Sequence, residues 1–329
     1  MAWQELPGER RGNTSTQTEM AAAGSPLAVE EEDLLSAAPA GSPLRDAWRR
    51  FIRNRAALGS LVVLIMLCIL AVFAPYLHTT DPLAQNYSTL NAGPSPRHWF
   101  GTDALGRDQY SRLLYGLRAP LLAAIVGAAI TAFLGALFGL IAGFYGGVMD
   151  AILARFTDAM FAFPGFTLAL IVVSLYGNAL DPYFGGGGRL MILIIVFAVV
   201  GWPGLMRFVR SLALSLKKQQ FIEAARVAGS SDRKIIIRHV LPNVFGLMLV
   251  QVSFIMTYFV YTEAVLSIFG LGVEPPNPDL GQMLSDGASN MGTNYWEVLF
   301  PSLFLTILIL AFTFLGDGVR DAVDPRMNK

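Results

Sequence analysis

A chain of 329 residues that is 54% hydrophobic, 15% charged and formally neutral is too apolar for an ordinary soluble domain. These values predict an all-α polytopic membrane protein. The single cysteine, Cys68, excludes an intrachain disulfide, so helix packing must hold the fold.

Residues 1–44 are rich in Ala, Gly, Ser, Pro, Thr and Glu and cannot bury enough apolar surface to offset their ordering entropy. They are expected to form a disordered cytoplasmic tail. The next stretch, 45–55 (RDAWRRFIRNR), brings Ala47, Trp48, Phe51 and Ile52 onto one helical face with arginines around them. Two readings stand for it: an interfacial basic helix, or a positively charged anchor continuous with the first span.

Six apolar stretches follow, each near the ~20 residues that a helix needs to cross a bilayer. They cover 56–77, 121–145, 159–176, 190–208, 244–271 and 298–315, with Pro164 breaking the third and Pro203 inside the fourth. Along the second, Gly135, Gly139, Gly143 and Gly147 recur at i, i+4, a stripe that favours close helix–helix contact.

Basic residues orient the loops. Five arginines from Arg45 to Arg55 put the N-terminus inside, and six spans return the C-terminal residues 318–329 to the same side. The stretch 272–297 carries four carboxylates and no Lys or Arg, which places it outside. The segment 78–118 is then extracytoplasmic, and 119–317 forms a core of five spans. In the outer segment, Thr102 or Asp103 is expected to cap a helix running to Leu117. The pairs Asp103–Arg107 and Asp108–Arg112 would decorate its solvated surface at ~0.5 kcal/mol each.

The inner loop 209–243 is the candidate functional element. Between Leu205 and Asn243 it holds eight Lys/Arg against two carboxylates. Phe221–Ala228 is composed of helix formers, Gly229 stops it, and Ser230 or Ser231 can cap a second helix with Asp232 in its first turn. Pro242 is expected to mark the turn into the fifth span. Ala224 and Ala225 permit close approach by another protein, while Glu223 and the arginines would fix its orientation. Composition alone also allows a solvated amphipathic loop that obeys the positive-inside rule.

Polar residues within spans are few. Gln251, Tyr258 and Thr262 share one face of the fifth span and could line a wet path or make helix contacts. Glu263 lies on a different face, either reaching water at the outer end or lining that path. The chain has no G-x-x-x-x-G-K-[ST] phosphate loop, no metal-ligand spacing among His78, His98 and His239, and no nucleophile–base pair. It is therefore read as a non-enzyme without catalytic or metal-ligating residues and without a cofactor, and nothing in it points to nucleic acid. With no ionisable group at mid-span, transport energy must come from elsewhere.

Glu223-Ala224-Ala225, then Gly229, then Leu241-Pro242 resembles the EAA loop of ABC-importer permeases. That pattern favours an aliphatic residue at position 239, where this chain has His239. RHVLPN instead resembles the dipeptide/oligopeptide/nickel branch, as do His98–Gly116, Glu263–Gly287 and Phe314–Arg326. Together they resemble its second, C-type permease subunit, in a bacterial or archaeal cell membrane. The resemblance implies a coupling helix in the inner loop and partnership with a second permease and two ATPase subunits that bind ATP and Mg. It also implies an extracytoplasmic binding protein that delivers di- or oligopeptides. Nickel-chelate, glutathione or oligosaccharide cargo remains open within the family, and an ATP-independent carrier or membrane-embedded enzyme remains outside it.

Overall fold

The computed structural model describes residues 43–184 and 187–323, so the predicted tail to residue 42 and residues 324–329 lie outside the described residues. The described chain is helical, with only an isolated antiparallel bridge between Thr102 and Asp108.

Helix α1 (Pro43–Arg53) stops at Asn54, whose side-chain oxygen accepts the N–H groups of Ala56 and Ala57 and so caps α2 (Arg55–Val72). On α2, Ala57, Ser60, Leu64, Leu67 and Ala71 are buried, while Leu58, Val62, Ile65, Ile69 and Val72 face outward. Both stripes run at i+3/i+4, and an apolar outer stripe is what a lipid-facing helix presents. The first span ends earlier than predicted. Pro75 lacks the N–H that would continue the helix, and the chain breaks at Phe73 before the short α3 (Ala74–Leu77).

Helix α4 runs from Gln109 to Tyr145, starting before its predicted span, continuing through Pro120 and carrying a π-turn at 123–127. The predicted third span is a broken pair, α5 (Gly147–Phe161) and α6 (Gly165–Tyr176), bent by 75° around Pro164. After the short α7 (Asp181–Phe184), α8 (Gly188–Leu216) continues through Pro203. Two further pieces complete the central region: α9 (Gln220–Val227) and α10 (Asp232–Ile268). Then come α11 (Leu280–Ser289) and α12 (Trp296–Val323). Five single helices are thus long and apolar enough to span, and the α5–α6 pair accounts for the sixth stretch.

Backbone contact holds α4 to α8. A Cβ built on Gly135, Gly139 or Gly143 would fall 2.7–2.8 Å from the Cβ of Leu205, Val209 or Ala213, so three successive turns of each helix touch. Gly147 lies outside this stripe. It sits at φ +60° in open space, where the chain turns from α4 into α5. Helix α12 packs between α2 and α10, with Gly318 against Ala57 and Gly316 against Ser253.

The motif-bearing segments occupy opposite ends of this bundle. At one end, the start of α4 meets the start of α12, where Asn294 donates to the carbonyl of Thr102. At the other, Phe144 near the end of α4 meets Lys217 and Arg226, and Asn54 meets Asp321.

Candidate functional site

The basic loop 209–243 forms the helical knob that its composition suggests, with one change. Helix α9 ends in paired bonds from Gly229 N–H to the Arg226 carbonyl (3.0 Å) and from Ser230 N–H to the Ala225 carbonyl (3.0 Å). This is a Schellman ending, and Gly229 supplies its left-handed residue at φ +80°. Ser231 takes the N-cap position of the next helix without a side-chain capping bond. The predicted turn at Pro242 is absent: the second helix of the knob and the fifth span are one helix, α10. A π-turn at 236–240 resets its register, and Asn243 Nδ2 donates to the His239 carbonyl at 2.6 Å. The wide turn accommodates the donor that Pro242 lacks, so the helix continues.

Ile222, Ile235 and Val240 are fully buried and anchor the knob in the core. Phe221, Glu223, Ala224, Val227, Ala228 and Gly229 are exposed, Ala225 is half-buried, and Val227 is 91% exposed. Leu241 is half-buried and Pro242 exposed on the first turns of α10. An apolar, small-residue face with one carboxylate therefore stands clear of the bundle on a rigid base. Arg226 reaches Asp232 at 3.6 Å and lies 5.7 Å from the Phe144 ring, as does Lys217 just past the end of α8, which ties the knob to the end of α4. Beside it, Arg233, Lys234 and Arg238 rim a cavity of about 570 Å³ floored by Ile237 and Pro242.

The polar residues of the fifth span separate. Tyr258 and Thr262 line a cavity of about 170 Å³ with Gly165, Phe166 and Gly201, next to the α5–α6 break. Gln251, two turns away, is half-buried and does not line it. Glu263 is fully buried against Asp279, under the start of α11. Asp279 in turn accepts from Ser267 Oγ and from the Gly281 N–H at 2.9 Å, capping α11. The structure thus brings Tyr258 and Thr262 to one cavity and leaves Gln251 and Glu263 elsewhere.

The segment 78–118 departs from its sequence reading. Asp108, not Thr102 or Asp103, caps the helix, accepting from Ser111 N–H (2.9 Å), Ser111 Oγ (2.7 Å) and Thr79 Oγ1 (3.0 Å). Gly101 and Gly106, both at positive φ, fold 102–108 into a compact turn whose carboxylate Asp103 holds Arg107 (2.6 Å) and Arg112 (3.7 Å). Asp103, Asp108 and Arg112 are each only 2% exposed, so the Asp103 pairs are buried rather than solvated, and the expected Asp108–Arg112 pair gives way to Arg112–Asp103 and to His98 Nδ1 on Asp108 at 2.8 Å. Packing decides this: Phe100 stacks on Phe300 of α12 at 4.1 Å and draws the segment over the bundle.

Sequence reasoning also missed the hold on α5. Arg207 and Arg210, counted with the loop, lie on α8 and pair with Asp158 and Asp150 of α5. The eight-residue spacing of those two aspartates, which puts them on one face of an apolar helix, was the available signal.

The family description "binding-protein-dependent transport system inner membrane component" matches residues 135–329, more than half the chain, and "N-terminal TM domain of oligopeptide transport permease C" matches 42–94. The chain is an ABC-importer permease of the peptide/nickel branch. Among relatives, the Haemophilus influenzae oligopeptide transport system permease OppC is 37% identical over 284 residues, covering 86% of this permease and 88% of that protein. The Escherichia coli glutathione transport system permease GsiD is 39% identical over 289 residues, covering 87% and 91%. The fold also matches the methionine ABC transporter MetNI in its inward-facing conformations, with TM-score 0.50 and 22% identity over 64% of this permease and 96% of that chain. The permease is thus a multi-pass inner-membrane protein of an importer, and the longer family match contains the knob, the broken helix pair and the Tyr258 cavity.

Proposed function

We propose that this permease forms half of a translocation pathway for di- or oligopeptides delivered by an extracytoplasmic binding protein, with a second homologous permease forming the other half. Two separate ATPase subunits bind and hydrolyse ATP with Mg, and this chain hydrolyses nothing. The exposed face of α9, carrying Glu223, Ala224 and Ala225 and closed by Gly229, docks in the ATPases, with Leu241 and Pro242 on the adjoining turn. The N- and C-termini share the cytoplasmic side with this knob.

One observation carries the reading: α9 is joined to α8 and α10 by links of only a few residues, Lys217–Gln219 and Ala228–Ser231, and is anchored by fully buried Ile222, with Ile235 and Val240 anchoring the start of α10. A push on a rigid, short-tethered helix moves the helices at its two ends instead of dissipating in a loop. Tilting α8 and α10 changes the Tyr258–Thr262 cavity between them and α6. Glutathione, itself a tripeptide, is the second cargo reading, supported by the similarity to GsiD.

The test is reconstitution with the ATPases, a second permease and candidate binding proteins, reading ATP turnover. A binding protein loaded with di- or oligopeptide should raise turnover, and one loaded with glutathione should do so if the second reading holds. Uptake that persists without ATP, or turnover raised only by a nickel-chelate- or oligosaccharide-loaded protein, would defeat the peptide assignment.

A further inference from the structure

Helix α1 carries a surface that the importer mechanism does not use. Phe51 is buried with Ala57 of α2 and Ala322 of α12 and stacks on Trp48 at 5.8 Å, so one aromatic pins the helix to the bundle. Trp48 (57% exposed) and Ile52 (45%) remain uncovered on the side of that contact. Arg49, Arg53 and Arg55 are exposed, and none takes an ion-pair or hydrogen-bond partner among the described residues. Directly after Asn54 begins the outward apolar stripe of α2, starting with Leu58 and Val62.

From this juxtaposition we infer that Trp48, Ile52, Arg49, Arg53 and Arg55 form a binding surface for anionic phospholipid. The stripe on α2 faces acyl chains, so the residues just before it lie at headgroup depth. There an indole and a branched aliphatic enter the acyl boundary while three unpaired guanidiniums meet phosphate. Guanidinium geometry suits phosphodiester oxygens, which accept two parallel N–H bonds. The attractions of separate arginines to an anionic surface add, so three together favour anionic over zwitterionic lipid by on the order of a hundredfold. Because Phe51 fastens α1 to both α2 and α12, lipid held here also steadies the bundle end where Asn54 meets Asp321.

The experiment uses the full chain in nanodiscs of phosphatidylcholine with phosphatidylglycerol, reading lipid retained after extraction by native mass spectrometry. Wild type should retain phosphatidylglycerol preferentially, and Arg49→Gln/Arg53→Gln/Arg55→Gln should lose most of that preference. Arg233→Gln/Lys234→Gln/Arg238→Gln, which removes three exposed charges elsewhere, should keep it. Equal loss in both variants means diffuse attraction and overturns the site, as does no loss in the first. Retained preference combined with loss of ATPase co-purification in the α1 variant would make the face a protein contact and also overturn it. Should the triple variant fail to insert, brominated phosphatidylglycerol provides the second reading. It should quench a fluorescence component of wild type that is missing in Trp48→Phe, and identical quenching in both overturns the placement.

Discussion

Arg210 of α8 holds Asp150 of α5 with both edges of its guanidinium: Nη2 donates at 2.7 Å to one carboxylate oxygen while Nε donates to the other. Two turns along α5, Arg207 reaches Asp158 through Nη2 alone, donates from Nε to Thr157 Oγ1 at 3.3 Å and lies 4.3 Å over the Phe161 ring. These arginines fasten the first arm of the bent pair to the helix that leads into the knob. Both groups of the Arg210 pair are partly exposed, which limits its contribution. Asp150→Asn should therefore cost about 1 kcal/mol, read as a lowered thermal midpoint of the detergent-solubilised chain. Arg210→Lys should not spare it, because an ammonium cannot make the two-bonded contact. An unchanged midpoint in both variants would remove the pair from the account of α5.

Gly139 should tolerate nothing larger. Its Cβ would lie 2.7 Å from the Val209 Cβ and 2.8 Å from the Met206 carbonyl oxygen, both on the rigid backbone of α8 or next to it. Gly139→Leu forces α4 and α8 apart, at a cost of about 1–3 kcal/mol or more, with sharply reduced recovery of folded chain. Gly204, on the same helix as Val209, has nothing within 4 Å of its Cβ position. Gly204→Ala should match wild type or gain up to ~1 kcal/mol from helix propensity. Equal behaviour of the two variants would show that the contact does not control assembly.

Gly229 is constrained by conformation and not by space: its Cβ position is empty, but its φ is +80°. Gly229→Val should strain or unwind the end of α9 by about 1–3 kcal/mol while the distant spans insert normally. Asn tolerates the left-handed region better, so Gly229→Asn should recover part of the function. The measurement is transport alongside membrane insertion. Wild-type transport by the valine variant would count against a rigid coupling element.

Burial raises the Asp286 carboxyl above its ordinary value of 3.8, with Arg107 and Arg112 pulling it back down and Asp103 pushing it up. A carboxyl raised in the folded state binds its proton more tightly there than in the unfolded chain. Its favourable contribution is complete below the unfolded value and declines as pH rises through the folded one. Asp286→Asn removes that dependence. The difference between wild-type and variant midpoints should therefore drift against wild type as pH increases from about 4. A difference that is flat with pH would mean that Asp286 titrates as in water.

How far the sequence reached is clearest in the knob and the outer segment. Glu223 to Gly229 was legible because every determinant is local: helix formers, then a glycine where a left-handed residue is needed. The fate of Pro242 was not, because whether a proline ends a helix depends on the register and packing around it, here a π-turn at 236–240 just ahead of it. Likewise Asp103 and Arg112 read as surface charges until the Phe100–Phe300 stack covered them.

By itself the sequence determined that the chain crosses a membrane as helices, which loops carry the positive charge, and where the small-residue stripe and the helix-stopping glycine fall. Those properties follow from apolar length, charge placement and backbone freedom, all of which are written locally. Only the tertiary structure decided that the third span is a bent pair, that α9 grips Phe144, that Glu263 lies against Asp279 and that Trp48 is left uncovered. Each of these joins residues far apart in the chain, and partners at that distance are chosen by packing, which no local pattern encodes.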